Sequence, residues 1–426
     1  MSRDIYKSSR VMYIIEAALE YFISIMVGGA YLAKLAEVLE LSTKVTGILS
    51  AFTTLGCSFQ IFAIFIWKNN RVKRSVTILH TVNQLLFTFL YVIPVFEIPT
   101  EVKTAIFIVM ILSAHIINNM VQSPKINWFM SLVDDTKRGR FTANKEIISL
   151  IGGMIFTFVM GNIIDSCEAA GKTGTSLVIC GVTLAVLTVL HTCTLIFSKE
   201  KEPEVKERIH TKDLLRQLIK DTGLLKVVGV SVLWSIAHSV TTPFLGSYQI
   251  NKHELAFSMT FVSILSAIYA ICRALASRPL GKYADKNSFV KMLNICFIVM
   301  AVAFTVNIFT VPSNGKILYT VYYVLYAVGM AGINSGGINL IYEYVPKEQR
   351  ICALALKNTI QGIAGFLTTL LFGEVVDLIQ ENGNKLFGIS MYAQQFLSAI
   401  SVILIIGLII YLNTVVRKIS SKKADP

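Results

Sequence analysis

VDDTKRGRFTANKEI at residues 133–147 returns 212 positions later as VPKEQRICALALKNT at residues 345–359. Each copy is a charged turn between two apolar runs, and the match extends beyond the turn without a gap. Ser123 falls on Ser335, Asn127 on Asn339, Arg138 on Arg350 and Lys145 on Lys357. Farther on, Gly153, Thr157, Gly161, Asp165 and Gly171 fall on Gly365, Thr369, Gly373, Asp377 and Gly383. Apolar segments pair Ile with Val by chance, whereas charged residues and glycines in one register do not. The offset is close to half the chain, which reads as a tandem duplication.

The solvent for which this sequence is written is lipid. Of the 426 residues 54% are hydrophobic and 15% charged, and the apolar residues come in runs of about 20, the length that crosses a bilayer as a helix. Twelve spans are expected, at 11–33, 44–66, 75–96, 104–129, 147–164, 175–197, 226–249, 256–277, 289–311, 316–342, 358–379 and 391–415. A net charge of +13 raises the possibility of nucleic acid as partner, but its distribution argues otherwise. Of the 39 Lys and Arg, 31 lie at the termini or in alternate connections on one side, and seven (Lys34, Lys44, Lys103, Lys172, Lys252, Lys316, Lys385) lie on the other. That is the positive-inside pattern. Both termini are therefore expected in the cytoplasm, the chain is a multi-pass protein of the cell membrane with the lipid bilayer as its surroundings, and no nucleic-acid partner is implied.

The basic N-terminus does not read as a secretory signal, because the first run carries Glu16 and Glu20 and shows no cleavage site. The seven cysteines form no C-x-x-C pair, so no metal or cofactor set is implied. The longest polar stretch begins at Ser198 and separates six spans from six, with a short amphipathic helix expected around 211–220. The organisation is all-α: a six-helix bundle over 1–197, a cytoplasmic linker over 198–225, a second bundle over 226–416 and a tail over 417–426.

Two six-span halves joined by a cytoplasmic linker resemble the major facilitator superfamily of secondary transporters. The loop GKYADKN at 281–287, with Gly281, Asp285 and Lys286, is similar to that family's G-x-x-x-D-[RK] motif. The equivalent loop of the first half, IWKNNRVKR, has neither the Gly nor the Asp. The resemblance implies that the motif Asp docks at a helix start in the other half and closes the cytoplasmic side. Asp285 would then lie near 143–146 beside Arg138 or Arg140, with Arg350 in the corresponding loop of the second half. It also implies that spans 1, 4, 7 and 10 line a central cavity.

Ionisable groups inside a span are costly, about 2.5 to 3.5 kcal/mol at mid-helix on insertion scales, so each needs a reason. Glu16 and Glu20 are four apart and share one helical face. They are candidates to carry a proton or receive a cationic substrate; the alternative is that Glu16 reaches the cytoplasmic interface and Glu20 is neutralised by a fixed partner, Lys125 or Arg273. Span 4 carries His115, Asn118, Asn119 and Gln122 at spacings of three and four, followed by Lys125. Such amides either line a cavity or bond helix to helix. Trp234 and His238 in span 7, and Tyr322, Tyr326 and Asn334 in span 10, offer aromatic faces and an amide suited to a small polar organic solute, though such residues also serve as packing.

A secondary transporter of a small polar organic solute is therefore expected, working by alternating access as a monomer and coupled to an ion, protons before sodium. It is not expected to be an enzyme. Efflux antiport is the variant within the class; a membrane-embedded enzyme and a non-transporting sensor are the alternatives outside it.

Overall fold

The computed structural model describes residues 5–67, 71–134, 137–202, 211–346, 349–386 and 388–419. Asn69 and Asn70 of the first-half loop, the middle of the linker and most of the tail lie outside them. Apolar runs in a membrane can satisfy their backbone groups only within helices or closed barrels, and the described chain is helical nearly throughout. In order the helices are α1 (Lys7–Met26), α2 (Gly29–Val38), α3 (Thr43–Cys57), α4 (Gln60–Ile66), α5 (Lys73–Phe89), α6 (Thr100–Met130), α7 (Arg138–Ala169) and α8 (Thr173–Phe197). There follow α9 (Thr211–Lys220), α10 (Thr222–Ser239), α11 (Leu245–Ile250), α12 (Met259–Lys286), α13 (Phe289–Ile308), α14 (Gly315–Tyr344), α15 (Arg350–Glu381) and α16 (Ala393–Tyr411). A two-residue hairpin pairs Lys385 with Ser390 and Leu386 with Ile389.

Among the described residues eleven segments are long and apolar enough to cross a membrane, and α1 with α2, bent by 46°, makes the twelfth. The bend falls inside the first span expected at 11–33. It sits at Gly28 and Gly29, where Gly29 takes φ +52, a left-handed conformation that costs glycine nothing. A broken helix leaves carbonyls without partners, and Tyr91 Oη donates to Met26 O at 2.6 Å to satisfy one. α9 is the amphipathic helix expected in the linker; it buries Leu215 and Leu218 and leaves Arg216, Gln217 and Lys220 exposed.

The chain divides into two compact units, one of Met1–Leu41, Leu55–Arg208 and Ser258–Ile264, the other of Ser42–Thr54, Ile209–Phe257 and Leu265–Pro426. One boundary falls within the linker, at 208/209, and others cut through α3 and α12. In the first unit α1 packs on α7 and α8, and α5 on α6 and α8; in the second α13 packs on α14 and α16, and α10 on α15 and α16.

The duplication is visible as repeated bonds. Arg138 Nε donates to Met130 O at 3.3 Å, and Arg350, 212 positions on, donates to Tyr342 O at 3.0 Å. The conserved-register arginines thus satisfy the last carbonyls of α6 and α14, where cations are also favoured by the helix dipole. Thr157 Oγ1 donates to Gly153 O at 2.9 Å as Thr369 Oγ1 does to Gly365 O at 3.2 Å. Asp165 accepts from the N–H groups of Met259 and Thr260, both at 2.8 Å, at the start of α12. Its counterpart Asp377 lies 3.5 Å from Lys44 at the start of α3.

Candidate functional site

Four helices of the first unit converge on one ionic cluster. α1 presents Glu16 and Glu20 one turn apart, and α6 sends Lys125 between them, its Nζ 2.9 Å from Glu16 Oε1 and 2.5 Å from Glu20 Oε2. From α8, His191 Nε2 reaches Glu16 Oε1 at 3.1 Å. From α5, His80 places Nδ1 3.6 Å from Glu16 Oε1 and Nε2 3.4 Å from Glu20 Oε1. Gln122 Nε2 donates to Glu20 Oε1, and also to Asn118 Oδ1 at 3.2 Å. Glu16, His80 and His191 are fully buried and Lys125 is 2% exposed.

Lys125 is thus the partner of Glu20, as one of the two candidates expected. His80 and His191 were not expected. Each is a lone imidazole in an apolar span, yet a signal existed: His80, Asn83, Gln84 and Thr88 keep one face of α5, and Thr188 and His191 keep one face of α8. The polar stripe continues behind the cluster. Gln84 Nε2 lies 3.2 Å from His80 Nε2 and 2.8 Å from Asn83 Oδ1, and Asn83 Nδ2 donates to Ala114 O at 2.7 Å. Glu16 Oε2 and the Nδ1 atoms of both histidines have no hydrogen-bond partner among the described residues.

The other span-4 candidates divide. Asn118 and Gln122 belong to the cluster. Asn119 donates to His115 O of its own helix at 2.9 Å and packs against Gly56, where a Cβ would come within 2.6 Å of its Nδ2. His115 sits edge-on to Phe87 at 5.2 Å between ring centroids. These two close the contact between helices.

The second unit carries an aromatic counterpart with far less charge. Tyr319, Tyr322, Tyr323 and Tyr326 pack ring against ring at tilted angles along α14, and His238 Nε2 meets Tyr326 Oη at 2.5 Å while its ring lies 5.1 Å from that of Trp234. Gln249 Nε2 donates to Tyr319 and Tyr323 at 3.0 and 2.8 Å. Tyr322, 1% exposed, lies against Phe304, and its hydroxyl has no hydrogen-bond partner among the described residues. Trp234 and Asn334 line a cavity of 180 Å³.

At the loop motif, Asp285 and Lys286 are exposed at the end of α12, and a Cβ at Gly281 would meet nothing within 4 Å. Arg140 is exposed. The first-half loop, which has no acid of its own, receives one from the linker: Glu200 Oε1 accepts from the N–H groups of Val72 and Lys73 at 2.6 and 3.2 Å, capping α5.

Comparison with known proteins agrees with this architecture. The family description that matches is Major Facilitator Superfamily, over residues 13–369 and 248–425. No curated protein sequence matches. Among solved structures, the nucleoside transporter NupG is 14% identical with a TM-score of 0.66, covering 96% of this chain and 99% of its own. A D-xylose–proton symporter is 14% identical with a TM-score of 0.72 over 94% and 96% of the two chains. A bacterial homologue of the iron transporter ferroportin is 13% identical with a TM-score of 0.61 over 98% and 99%. At these identities the likeness is one of fold. The duplicated six-span halves and the family match over most of the sequence lead to one assignment, a transporter family and not an enzyme family: the chain belongs to the Major Facilitator Superfamily.

Proposed function

We propose that the chain is a proton-coupled secondary transporter of a small polar organic solute, working by alternating access in the cell membrane with both termini cytoplasmic, and that Glu16, Glu20, Lys125, His80 and His191 form the coupling site. The observation that carries the reading is the charge count of the cluster. Two carboxylates face one ammonium, so with both imidazoles neutral the buried site holds one uncompensated negative charge. In apolar surroundings that charge must be matched. A proton on an imidazole or carboxyl matches it, and histidine is the side chain suited to exchange one near neutral pH.

Other cations fit less well. Donor atoms of Glu16, His80 and His191 lie within 4.8 Å of one another, near enough to share a metal ion. Lys125 Nζ, however, already sits 2.9 Å from the same Glu16 oxygen, and a divalent ion added beside it would exceed the missing charge. Sodium prefers a shell of oxygens, whereas this site offers two imidazoles and an ammonium.

Within the cycle, Asp285 is the group we assign to closing the cytoplasmic side near 143–146. The test of coupling is Glu20→Gln in proteoliposomes, with the solute found by a thermal-shift screen. The variant is expected to lose gradient-driven accumulation while keeping solute exchange. Accumulation with unchanged pH dependence would refute the coupling role, and binding without any flux would favour a sensor.

A further inference from the structure

Lys125 fills the place beside Glu20 for which Arg273 was the other candidate, and Arg273 is left to be explained. It stands 14 residues after Met259, the first residue of the 28-residue helix α12, or roughly 21 Å along it at 1.5 Å per residue, so it lies inside the span. On the same helix Ile271 and Leu275 are exposed, which marks the face turned to lipid. Each is two residues from Arg273, an offset of about 200° on a helix of 3.6 residues per turn. Arg273 therefore occupies the opposite, inward face. One turn before it on that face, Tyr269 meets Tyr323 and Tyr326 of α14, with ring centres 6.4 and 5.9 Å apart.

Among the described residues the Arg273 guanidinium has neither an ion pair nor a hydrogen bond. Its contact is the ring of Tyr269, with Cζ 6.0 Å from the ring centre. A ring face attracts a cation, but it carries no opposite charge and leaves the five N–H donors without an oxygen to bond. The polar groups around the same tyrosines are neutral acceptors and donors: Tyr326 Oη meets His238 Nε2 at 2.5 Å, and Tyr323 Oη accepts from Gln249 Nε2 at 2.8 Å. Arg273, Tyr269, Tyr323 and Tyr326 are all half-buried, so this inward face is not packed shut. Lys125 shows the contrast, a cation in a span held between two carboxylates. A charged side chain on the inner face of a span with no fixed counter-ion marks the path of a substrate or ion.

We infer that Arg273 anchors the carboxylate of a small organic acid whose apolar body lies against the rings of Tyr269, Tyr323 and Tyr326. The planar guanidinium presents paired N–H groups that match both oxygens of a carboxylate. One fixed positive charge is balanced by a monoanion, whereas a phosphate dianion would be left half compensated. The tyrosines supply flat apolar faces with hydroxyls at their edges, and Tyr323, whose oxygen already accepts from Gln249, keeps its O–H to donate. This narrows the solute of the function proposed above to an organic acid. That the bound molecule is the one transported rests on that reading; that it binds does not.

The test is equilibrium binding to the full chain purified in detergent, with no gradient imposed, so its outcome is independent of proton coupling. The probes are pairs of one shape and different charge: lactate and lactamide, benzoate and benzamide, phenylacetate and phenylacetamide. At least one carboxylate is expected to bind with its amide weaker by roughly ten- to hundredfold, the size of a lost charge-assisted hydrogen bond. Arg273→Gln should lose that preference, and Arg273→Lys, which keeps the charge without the planar fork, should fall between. Size-exclusion profiles identify any variant that fails to fold, and the acid-to-amide ratio of the wild type is a test that needs no variant. No binding by any carboxylate, equal binding of acid and amide, or an unaltered preference in Arg273→Gln would overturn the assignment. Carboxylate binding without proton-driven uptake would leave it standing and refute the coupling proposal alone.

Discussion

Lys125→Met is the perturbation that most exposes the physics of the buried cluster. The ammonium lies 2.9 and 2.5 Å from two carboxylates and is 2% exposed, so its loss leaves Glu16 and Glu20 facing each other with no fixed cation. Breaking a buried pair by removing one partner costs about 3 to 5 kcal/mol, because the remaining charge stays desolvated. Methionine fills much of the lysine's volume, so little of that cost comes from packing. The assay is thermal unfolding in detergent, followed by a thiol-reactive dye that reports exposure of the buried Cys180, Cys296 and Cys352. The control is Lys125→Met combined with Glu20→Gln, which removes one negative charge along with the positive one. The double variant is expected to unfold at a higher temperature than Lys125→Met alone, a coupling of opposite sign to simple addition. A single variant as stable as the wild type, or a double variant less stable than the single, would refute the charge argument.

Other consequences are local. Glu254, in the loop between α11 and α12, is 4% exposed, and burial pushes its carboxyl up to about 7 against a hydrogen bond from Gln380 at 3.3 Å. A raised carboxyl holds its proton in the fold after the unfolded chain has lost it, so stability should fall as pH rises from about 4.5 to about 7 and then level off, by roughly 3 kcal/mol at most. Glu254→Gln should flatten that part of the pH-stability curve; an unchanged slope would contradict the burial. Gly161 packs so closely on α12 that a Cβ would come 2.8 Å from Met259 O and from Ser263 Oγ, and Gly161→Ala is expected to cost about 1 to 3 kcal/mol in thermal unfolding. Asp285→Asn should increase labelling, from the cytoplasmic side, of a cysteine placed at Ala143; equal labelling would remove Asp285 from the closing role.

The sequence was most legible where a physical penalty forced a pattern. Membrane composition, charge asymmetry and the register between residues 133 and 345 made the helical, duplicated architecture readable, because lipid tolerates few alternatives. Glu16, Glu20 and Lys125 stood out because charge in a span must be explained, and Gln122 because it continues a polar face of span 4. His80 and His191 did not, since a single imidazole in an apolar run has no local partner and their meeting at Glu16 depends on how α5 and α8 pack. For Tyr322 the pattern does not decide, as its spacing from Tyr326 is the same whether a ring faces a ligand or the core. The cavity beside Gly337 was hidden for another reason: in sequence a glycine of a small-residue stretch looks like close helix packing, and the opening exists only once α10, α13, α14 and α15 are packed around it.

Proton movement driven by solute tests the central claim most directly. In proteoliposomes loaded with a pH-sensitive dye, solute added outside without an imposed pH gradient is expected to carry protons inward and acidify the lumen in the wild type. Neither Glu16→Gln nor Glu20→Gln is expected to acidify it, although both should still exchange labelled solute. Solute flux with no proton movement in the wild type, or equal acidification in both variants, would contradict the assignment of the buried cluster as the coupling site.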